Sequence, residues 1–484
     1  MFQKLLRQYK NLPISVRASV WFACCSFLQR GISMLTTPVF TRLLTPAEYG
    51  QFGVFNSWMS ILSVFVTLNL FSGMFMQGLV KFEAQRERFS SAVQGLCTVL
   101  AVAWLAVYLL FRDFWNRLFS LTTVQMLAML LMIWCSAMAG FWNVKQRMDL
   151  QYRRLVICSL LVSLSNPIVG VFLVLHAEDR VTARILGIAL VELLGYSWMF
   201  FSQMRQDHTF FSANFWRYAL KFNIPLIPHY LATAILSGAD RIMIERMVGS
   251  SEAGIYNLAY AVSQIMTIFN TAVLQTMEPW LYRRIGAGKT EAIPSVAYPA
   301  FTGTALINIL LIAFAPEVIA IFAPPAYYDA IWVIPPVAMS VYFTFSYAFF
   351  ATFEFYYEKT LYIALSTVGG AILNVILNAV FIRLCGYYAA GYTTLVCYMV
   401  YAALHYACMC RLCRTELHIH RLYDLKILLI ITCGFMTAGF VLLSVYRYPA
   451  VRYTIVAGLL LILFVLRKRM ITEWNRLLHI RKSN

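Results

Sequence analysis

Apolar runs of about the length that spans a bilayer, roughly 20 residues, recur along the whole chain and are separated by short polar segments. They fall at 18–40, 51–74, 91–111, 119–141, 155–175, 183–203, 217–238, 253–276, 295–315, 330–350, 361–382, 389–409, 425–445 and 450–466. The pattern predicts about fourteen transmembrane helices and no strand. No connection is long enough to hold a soluble domain. In the seventh run Pro225 and Pro228 should bend the helix beside His229, because proline removes a backbone donor and clashes with the preceding turn.

Composition points the same way. Of 484 residues, 61% are hydrophobic and 12% charged, about half the charged share of soluble domains. Mean hydropathy is +0.69. A water-soluble exterior cannot absorb that much apolar surface, whereas lipid can. The eleven cysteines sit mostly in apolar runs and act as small hydrophobes rather than as a disulfide framework. Met1 to Arg17 carries Lys4, Arg7, Lys10 and Arg17, and the apolar run behind it lacks a small-residue cleavage site, so the first helix is expected to remain as an anchor.

Lysine and arginine set the orientation. One set of alternating segments holds Lys81, Arg86 and Arg88, then Lys145, Arg147, Arg153 and Arg154, then the basic residues near 205–221, 283–289, 359 and 411–426. With the termini, that side carries 28 of the 39 basic residues; the other side carries 10, and Arg30 lies within the first run. Both termini are therefore expected in the cytoplasm. This asymmetry accounts for the net charge of +18 without a nucleic-acid role, and a basic face also suits anionic lipid headgroups.

The chain repeats itself at an offset of 204 residues. Arg42, Glu48 and Gly50 recur as Arg246, Glu252 and Gly254, and the same offset pairs Gly187 with Gly391. Six runs map onto six with the same orientation. The expected architecture is an all-α integral membrane protein: an N-terminal lobe over 1–208, a C-terminal lobe over 209–415, and two further helices with a basic tail over 416–484. Two six-helix bundles would then face a central cavity, since transporters built from repeats place their sites where the repeats meet.

Particular stretches carry a resemblance. Leu220 to Leu231, with Asn223, Pro225, Pro228 and His229, is followed by Asp240-Arg241 and by Ala253-Gly254-Ile255-Tyr256 through Tyr260. Pro38 to Gly50 and Asn374 to Gly391 agree as well. Together they resemble Wzx-type polysaccharide and O-antigen flippases of the multidrug/oligosaccharidyl-lipid/polysaccharide (MOP) exporter superfamily. The resemblance implies a MATE- or MurJ-like fold in the bacterial inner membrane. It implies transport of an undecaprenyl-pyrophosphate-linked glycan from the cytoplasmic to the periplasmic leaflet, with no enzymatic step and no cofactor. Candidate partners are membrane lipids and a polymerase and chain-length regulator of the same pathway.

A diphosphate headgroup calls for cations at membrane depth, and an intramembrane charge is a functional candidate by default. Arg30 lies near the middle of the first run beside Gln29 and Ser33, and arginine can grip phosphate with two parallel hydrogen bonds. The alternative for Arg30 is an ion pair with Glu192, in the middle of the sixth run. Arg241 joins Arg30 and Gln29 as a headgroup candidate, while Asp240 and Arg241 are expected to close the seventh helix on the outer side. Coupling to H+ or Na+ would fall to Glu192, His229, Asp240 or Glu278, because carboxylates and histidines can change charge in response to surroundings. Glu278 and Glu354 are expected at cytoplasmic helix ends, where solvation is the ordinary explanation. Asn374 and Asn378, at i and i+4, share a helix face and either line the cavity or hydrogen-bond between helices.

Two patterns are set aside. Gly286-Ala287-Gly288-Lys289-Thr290 echoes a phosphate-binding loop but has Arg283 where the first glycine belongs. The tract from His405 through Cys408, Cys410 and Cys413 to His420 spreads its ligands around a helix, so no metal is expected. A lipid II or multidrug exporter of the same superfamily remains an alternative, as does a membrane polymerase or glycosyltransferase. The last would need a sizeable outer loop or a carboxylate-rich one, and neither is conspicuous.

Overall fold

The structure, a computed structural model, describes residues 13–458 together with 460 and 461. The basic N-terminal residues Lys4, Arg7 and Lys10, most of the fourteenth expected run and the basic tail lie outside the described residues.

Each of the first thirteen expected runs falls on a helix or on an interrupted pair. In chain order the helices are α1 (Ile14–Leu43), α2 (Pro46–Thr67), α3 (Gly73–Lys81), α4 (Arg86–Leu110), α5 (Arg112–Phe119), α6 (Thr123–Met148), α7 (Tyr152–His176), α8 (Arg180–Met204), α9 (Ala213–Asn223) and α10 (Ile227–Met247). They continue as α11 (Ser250–Ser263), α12 (Ile265–Gly286), α13 (Ile293–Ala313), α14 (Ala315–Phe322), α15 (Ile334–Tyr356), α16 (Thr360–Cys385), α17 (Ala389–Thr415) and α18 (Leu425–Ser444). Helical turns at 449–458 begin the fourteenth run. No strand forms among the described residues.

Nine of these helices are long and apolar enough to cross a membrane, among the described residues. Polar residues in α1, Gln29 and Arg30 among them, lower its apolar character. The second, seventh and eighth runs are each divided into two shorter helices, at 68–72, 224–226 and 264. Side-chain caps fix several starts. Thr45 and Glu48 close a capping box at α2, Thr122 and Gln125 close another at α6, and Asp179 caps α8. Such caps satisfy amide groups that the first turn leaves without partners. In the first repeat, Glu48 thus has a turn-forming role.

Helix packing divides the chain into two compact units, Met1–Ile242 and Met243–Asn484. The boundary lies inside α10, whereas the repeat places a sequence boundary at 208/209. In the first unit α8 packs against α6 and α7, and α7 against α1. Aromatic rings fill one layer of this unit: Phe75 meets Phe141 edge to face at 4.8 Å and stacks with Phe89 at 5.8 Å. In the second unit α15 is the central helix, with 83% of its apolar stretch buried, and packs against α12, α13 and α17. Phe301 meets Phe345 and Phe349 there at 5.4 and 5.3 Å.

The outward faces are apolar. Leu35, Leu110, Leu384 and Ile430 are each more than 70% exposed. Large apolar side chains displayed along transmembrane-length helices match a hydrocarbon solvent. The protein is a multi-pass, all-α membrane protein.

Candidate functional site

Asp179 accepts a hydrogen bond from the Thr182 amide at 2.9 Å and starts α8. Arg180 donates to the Leu43 carbonyl at 3.0 Å and ties that start to the end of α1. One turn later Arg184 places its guanidinium carbon 3.3 Å from the centroid of Phe40 and 5.4 Å from that of Phe52. It fits because α7 has Gly170 there: a Cβ on Gly170 would collide with Arg184 Nη1. Gly187, one turn further along α8, brings the two backbones together; its Cβ would lie 3.1 Å from Gly170 Cα.

Arg184 Nε and Nη1 are buried and have no hydrogen-bond partner among the described residues. A buried donor left unpaired costs about 1–3 kcal/mol, and more when charged. Stacking on Phe40 offsets part of that cost, since a desolvated cation–π contact contributes up to about 2 kcal/mol. Buried Tyr49 lies within electrostatic reach of both Arg184 and Arg241. Of the two arginines, Arg184 holds buried donors without a hydrogen-bond partner among the described residues. A phosphate or diphosphate oxygen is the chemistry that such donors accept.

Arg30 is exposed on α1, ten residues before Phe40, or about 15 Å along the helix axis. Gln29 is tied to α7, donating to Ser163 Oγ at 3.1 Å. Glu192, at the middle of α8, accepts from Ser136 Oγ at 3.3 Å and has no basic partner among the described residues. The alternative in which Glu192 neutralises Arg30 is therefore not what the structure adopts. Asp240 is fully buried and Arg241 donates to the Ser237 carbonyl at 2.8 Å. Both lie within α10, which runs on to Met247. The expectation that they close the seventh helix is corrected: continued α-helical hydrogen bonding carries the helix on past Arg241.

The bend expected at Pro225 and Pro228 takes the form of one 3-10 turn within a backbone that stays helical on both sides. α9 ends at Asn223, a 3-10 turn covers Ile224–Leu226, and α10 starts at Ile227. This turn meets the interruption of the second run at 68–72. Asn223 Nδ2 donates to the Leu68 carbonyl at 2.8 Å, and Ser72 Oγ and Tyr230 OH lie 3.1 Å apart. Leu68 and Asn69 both have positive φ, 49° and 52°, a conformation that costs a non-glycine residue about 1–2 kcal/mol. His229 is half-buried beside this junction, and its Nδ1 has no hydrogen-bond partner among the described residues.

In the second unit, Glu278 is exposed. Asn374 and Asn378 are buried, with Asn378 Nδ2 donating to Asn374 Oδ1 at 3.2 Å and Thr393 Oγ1 donating to Asn378. They join α16 to α17 by hydrogen bonds. Glu354 is not solvated at a helix end, as its place in the sequence suggests. It is fully buried on α15, and its Oε1 lies 2.7 Å from Nδ1 of His405, also fully buried on α17. Tyr401 and Tyr347 wall the imidazole, with ring centroids at 4.5 and 5.6 Å. His405 is therefore engaged away from the cysteines that follow it.

Sequence reasoning passed over Arg184 and the Glu354–His405 pair. Arg184 is distinguishable by its setting, a charge inside an apolar run with Gly187 one turn away. The partnership of residues 354 and 405 left no local signal.

The chain matches the model of a family described as polysaccharide biosynthesis protein over residues 15–284. No curated protein matches the sequence. Among solved structures, an inward-facing multidrug resistance MATE family transporter of the MOP superfamily is similar with a TM-score of 0.64 at 14% identity, over 80% of this chain and 95% of that one. The lipid II flippase MurJ in an inward closed conformation is similar with a TM-score of 0.63 at 12% identity, over 93% of this chain and all of that one. A mutant of the Vibrio cholerae MATE transporter VcmN gives 0.56 at 12% identity, over 83% of this chain and 97% of that one. With the family match covering more than half the sequence and the helices following the MATE and MurJ fold, the chain belongs to the polysaccharide biosynthesis protein family.

Proposed function

We propose that the protein flips an undecaprenyl-pyrophosphate-linked oligosaccharide repeat unit from the cytoplasmic to the periplasmic leaflet of a bacterial inner membrane. It does so by alternating access, for O-antigen or capsule assembly, and is coupled to H+ or Na+. The observation that carries the reading is Arg184, whose Nε and Nη1 are buried without a hydrogen-bond partner among the described residues while its guanidinium lies over the Phe40 ring. Family membership supports the polysaccharide substrate, and the MOP-type fold supports transport rather than bond chemistry.

In this reading the diphosphate travels along a ladder of cations in the first unit. Arg30 receives it at mid-helix, and Arg184 with Arg241 holds it near the other end of α1. The polyprenyl tail stays in lipid while the glycan follows the polar route. The coupling ion falls to Glu192, which lies at the centre of α8 without a cationic partner among the described residues. His229, Asp240 and Glu278 remain further candidates for that role.

The test is reconstitution of the purified protein in liposomes with a lipid-linked glycan whose exposure is read by an impermeant glycan-oxidising reagent. Arg184→Gln should slow movement about tenfold or more, the value of one charge-assisted contact of roughly 1.5–3 kcal/mol. Arg184→Lys should retain part of the rate. Undiminished movement in a folded Arg184→Gln protein overturns the role of Arg184, and no movement by the unaltered protein under an imposed H+ or Na+ gradient overturns the flippase reading.

A further inference from the structure

At the far ends of α6 and α8 from Arg184, the first unit holds a cleft of about 170 Å³. Its lining includes Trp142 and Lys145 of α6, Arg154 at the start of α7, and Trp198, Ser202 and Gln206 along and just beyond α8. Three helix ends converge there: α6 stops at Met148, α7 starts at Tyr152 and α8 stops at Met204.

The cleft is apolar at one end and polar at the other. Trp142 is buried and Trp198 is exposed, and they meet edge to face at 5.6 Å. Gln206 follows Trp198 by about two turns, roughly 12 Å of helix. That depth covers the headgroup zone, roughly 5–8 Å per leaflet, and the top of the hydrocarbon. Tryptophan is the residue that settles at this boundary.

The polar end has capacity to spare. Lys145 is buried and held by Glu87 and Gln206, so its charge is matched. Arg154 is exposed and has no carboxylate partner among the described residues. Two nearby acids are engaged elsewhere: Asp149 with Arg86 at 3.5 Å, and Asp207 with the Thr209 hydroxyl at 2.5 Å. Gln146, also lining the cleft, is 8% exposed, and its carboxamide oxygen has no partner among the described residues. The Ser202 hydroxyl likewise has none among them.

The geometry points to a binding site for the anionic phosphodiester headgroup of a glycerophospholipid. Arg154 takes the phosphate through paired hydrogen bonds, Ser202 and Gln146 take headgroup hydroxyls, and Trp198 packs against the glycerol and upper acyl carbons. The volume is below the ~300–1,000 Å³ of pockets for drug-sized ligands, so the headgroup enters while the acyl chains stay in the bilayer. On the orientation expected from loop charges this end faces the cytoplasmic leaflet, where anionic lipids attract basic segments.

The experiment is native mass spectrometry of the purified full-length protein in detergent, titrated separately with phosphatidylglycerol, phosphatidylcholine and inorganic phosphate. Phosphatidylglycerol should bind more tightly than phosphatidylcholine. Arg154→Gln should weaken that binding about tenfold, Arg154→Lys less, and Trp198→Ala should weaken it as well. Arg153→Gln, at the exposed neighbouring position, should leave it unchanged. Equal phosphatidylglycerol binding in Arg154→Gln and the unaltered protein overturns the site. Inorganic phosphate displacing the lipid at equal concentration assigns the cleft to a soluble anion and overturns the lipid assignment. No glycan substrate is present in the measurement, so its failure leaves the flippase reading standing.

Discussion

The guanidinium carbon of Arg184 lies 3.3 Å from the centroid of the Phe40 ring, on a helix 144 residues earlier in the chain. The contact depends on Gly170, whose missing side chain leaves room for Nη1. Gly170→Ala would drive a methyl carbon into that nitrogen. The obstructed atom is the end of a flexible side chain, so the fold should survive and Arg184 should swing away. Transport in liposomes should then fall about as far as in Arg184→Gln, tenfold or more by the value of a charge-assisted contact, at unchanged membrane abundance. Full transport by Gly170→Ala would show that the position of Arg184 does not matter.

The Glu354–His405 pair should behave as a stability element of the second unit. Glu354→Ala leaves a buried imidazole without its hydrogen-bond partner, a loss of about 1–3 kcal/mol, to which the cavity left behind adds. Replacing both members by apolar residues, Glu354→Leu with His405→Phe, should recover most of that loss, because neither polar group is then stranded. Melting temperatures in detergent check this. A double variant no more stable than Glu354→Ala would contradict it.

The interruption of the second run and the 3-10 turn of the seventh share one junction, in which Asn223 satisfies the carbonyl that Leu68 frees by leaving the helix. Asn223→Ala should destabilise the protein by about 1–3 kcal/mol, the cost of a buried acceptor without a partner. Asn223→Asp should be no better, since a carboxylate presents a lone pair where a donor is required. Thermal unfolding of both variants measures the effect. A loss of only a few tenths of a kcal/mol, as expected at about that size for a surface substitution, would mean that water reaches the Leu68 carbonyl.

Loop charge sets the expected topology, and reporter fusions read it directly. Fusions after residues 84, 148, 287 and 418 should report cytoplasm, and fusions near 46, 179 and 249 should report periplasm. A single reversal within this set would break the orientation argued from the basic residues.

Much of the fold was legible in the chain because lipid imposes a simple rule. A segment of about 20 apolar residues must be a helix there, since backbone groups find no other partners in hydrocarbon. The all-α class and thirteen of the helix positions follow from that rule. The motifs around Pro38–Gly50, the seventh run and Asn374–Gly391 carried the family resemblance, and Pro225 and Pro228 announced the 3-10 turn at Ile224–Leu226.

What only the tertiary structure decided is which polar residues meet. Hydropathy records whether a segment tolerates lipid, but not which way each helix is rotated or which neighbour it selects. Glu354 reads as a solvated helix end and is buried against His405, and Arg184, which sequence reasoning passed over, lies over the Phe40 ring. Asn223 reads as a residue before a proline bend and caps Leu68. In each case the partner is far away in sequence, and packing of glycine-lined or interrupted helices brings it within reach. Local pattern determines the helices because their hydrogen bonds are local; the pairings were left to packing because a polar group in an apolar surround is stabilised by whatever partner the fold delivers.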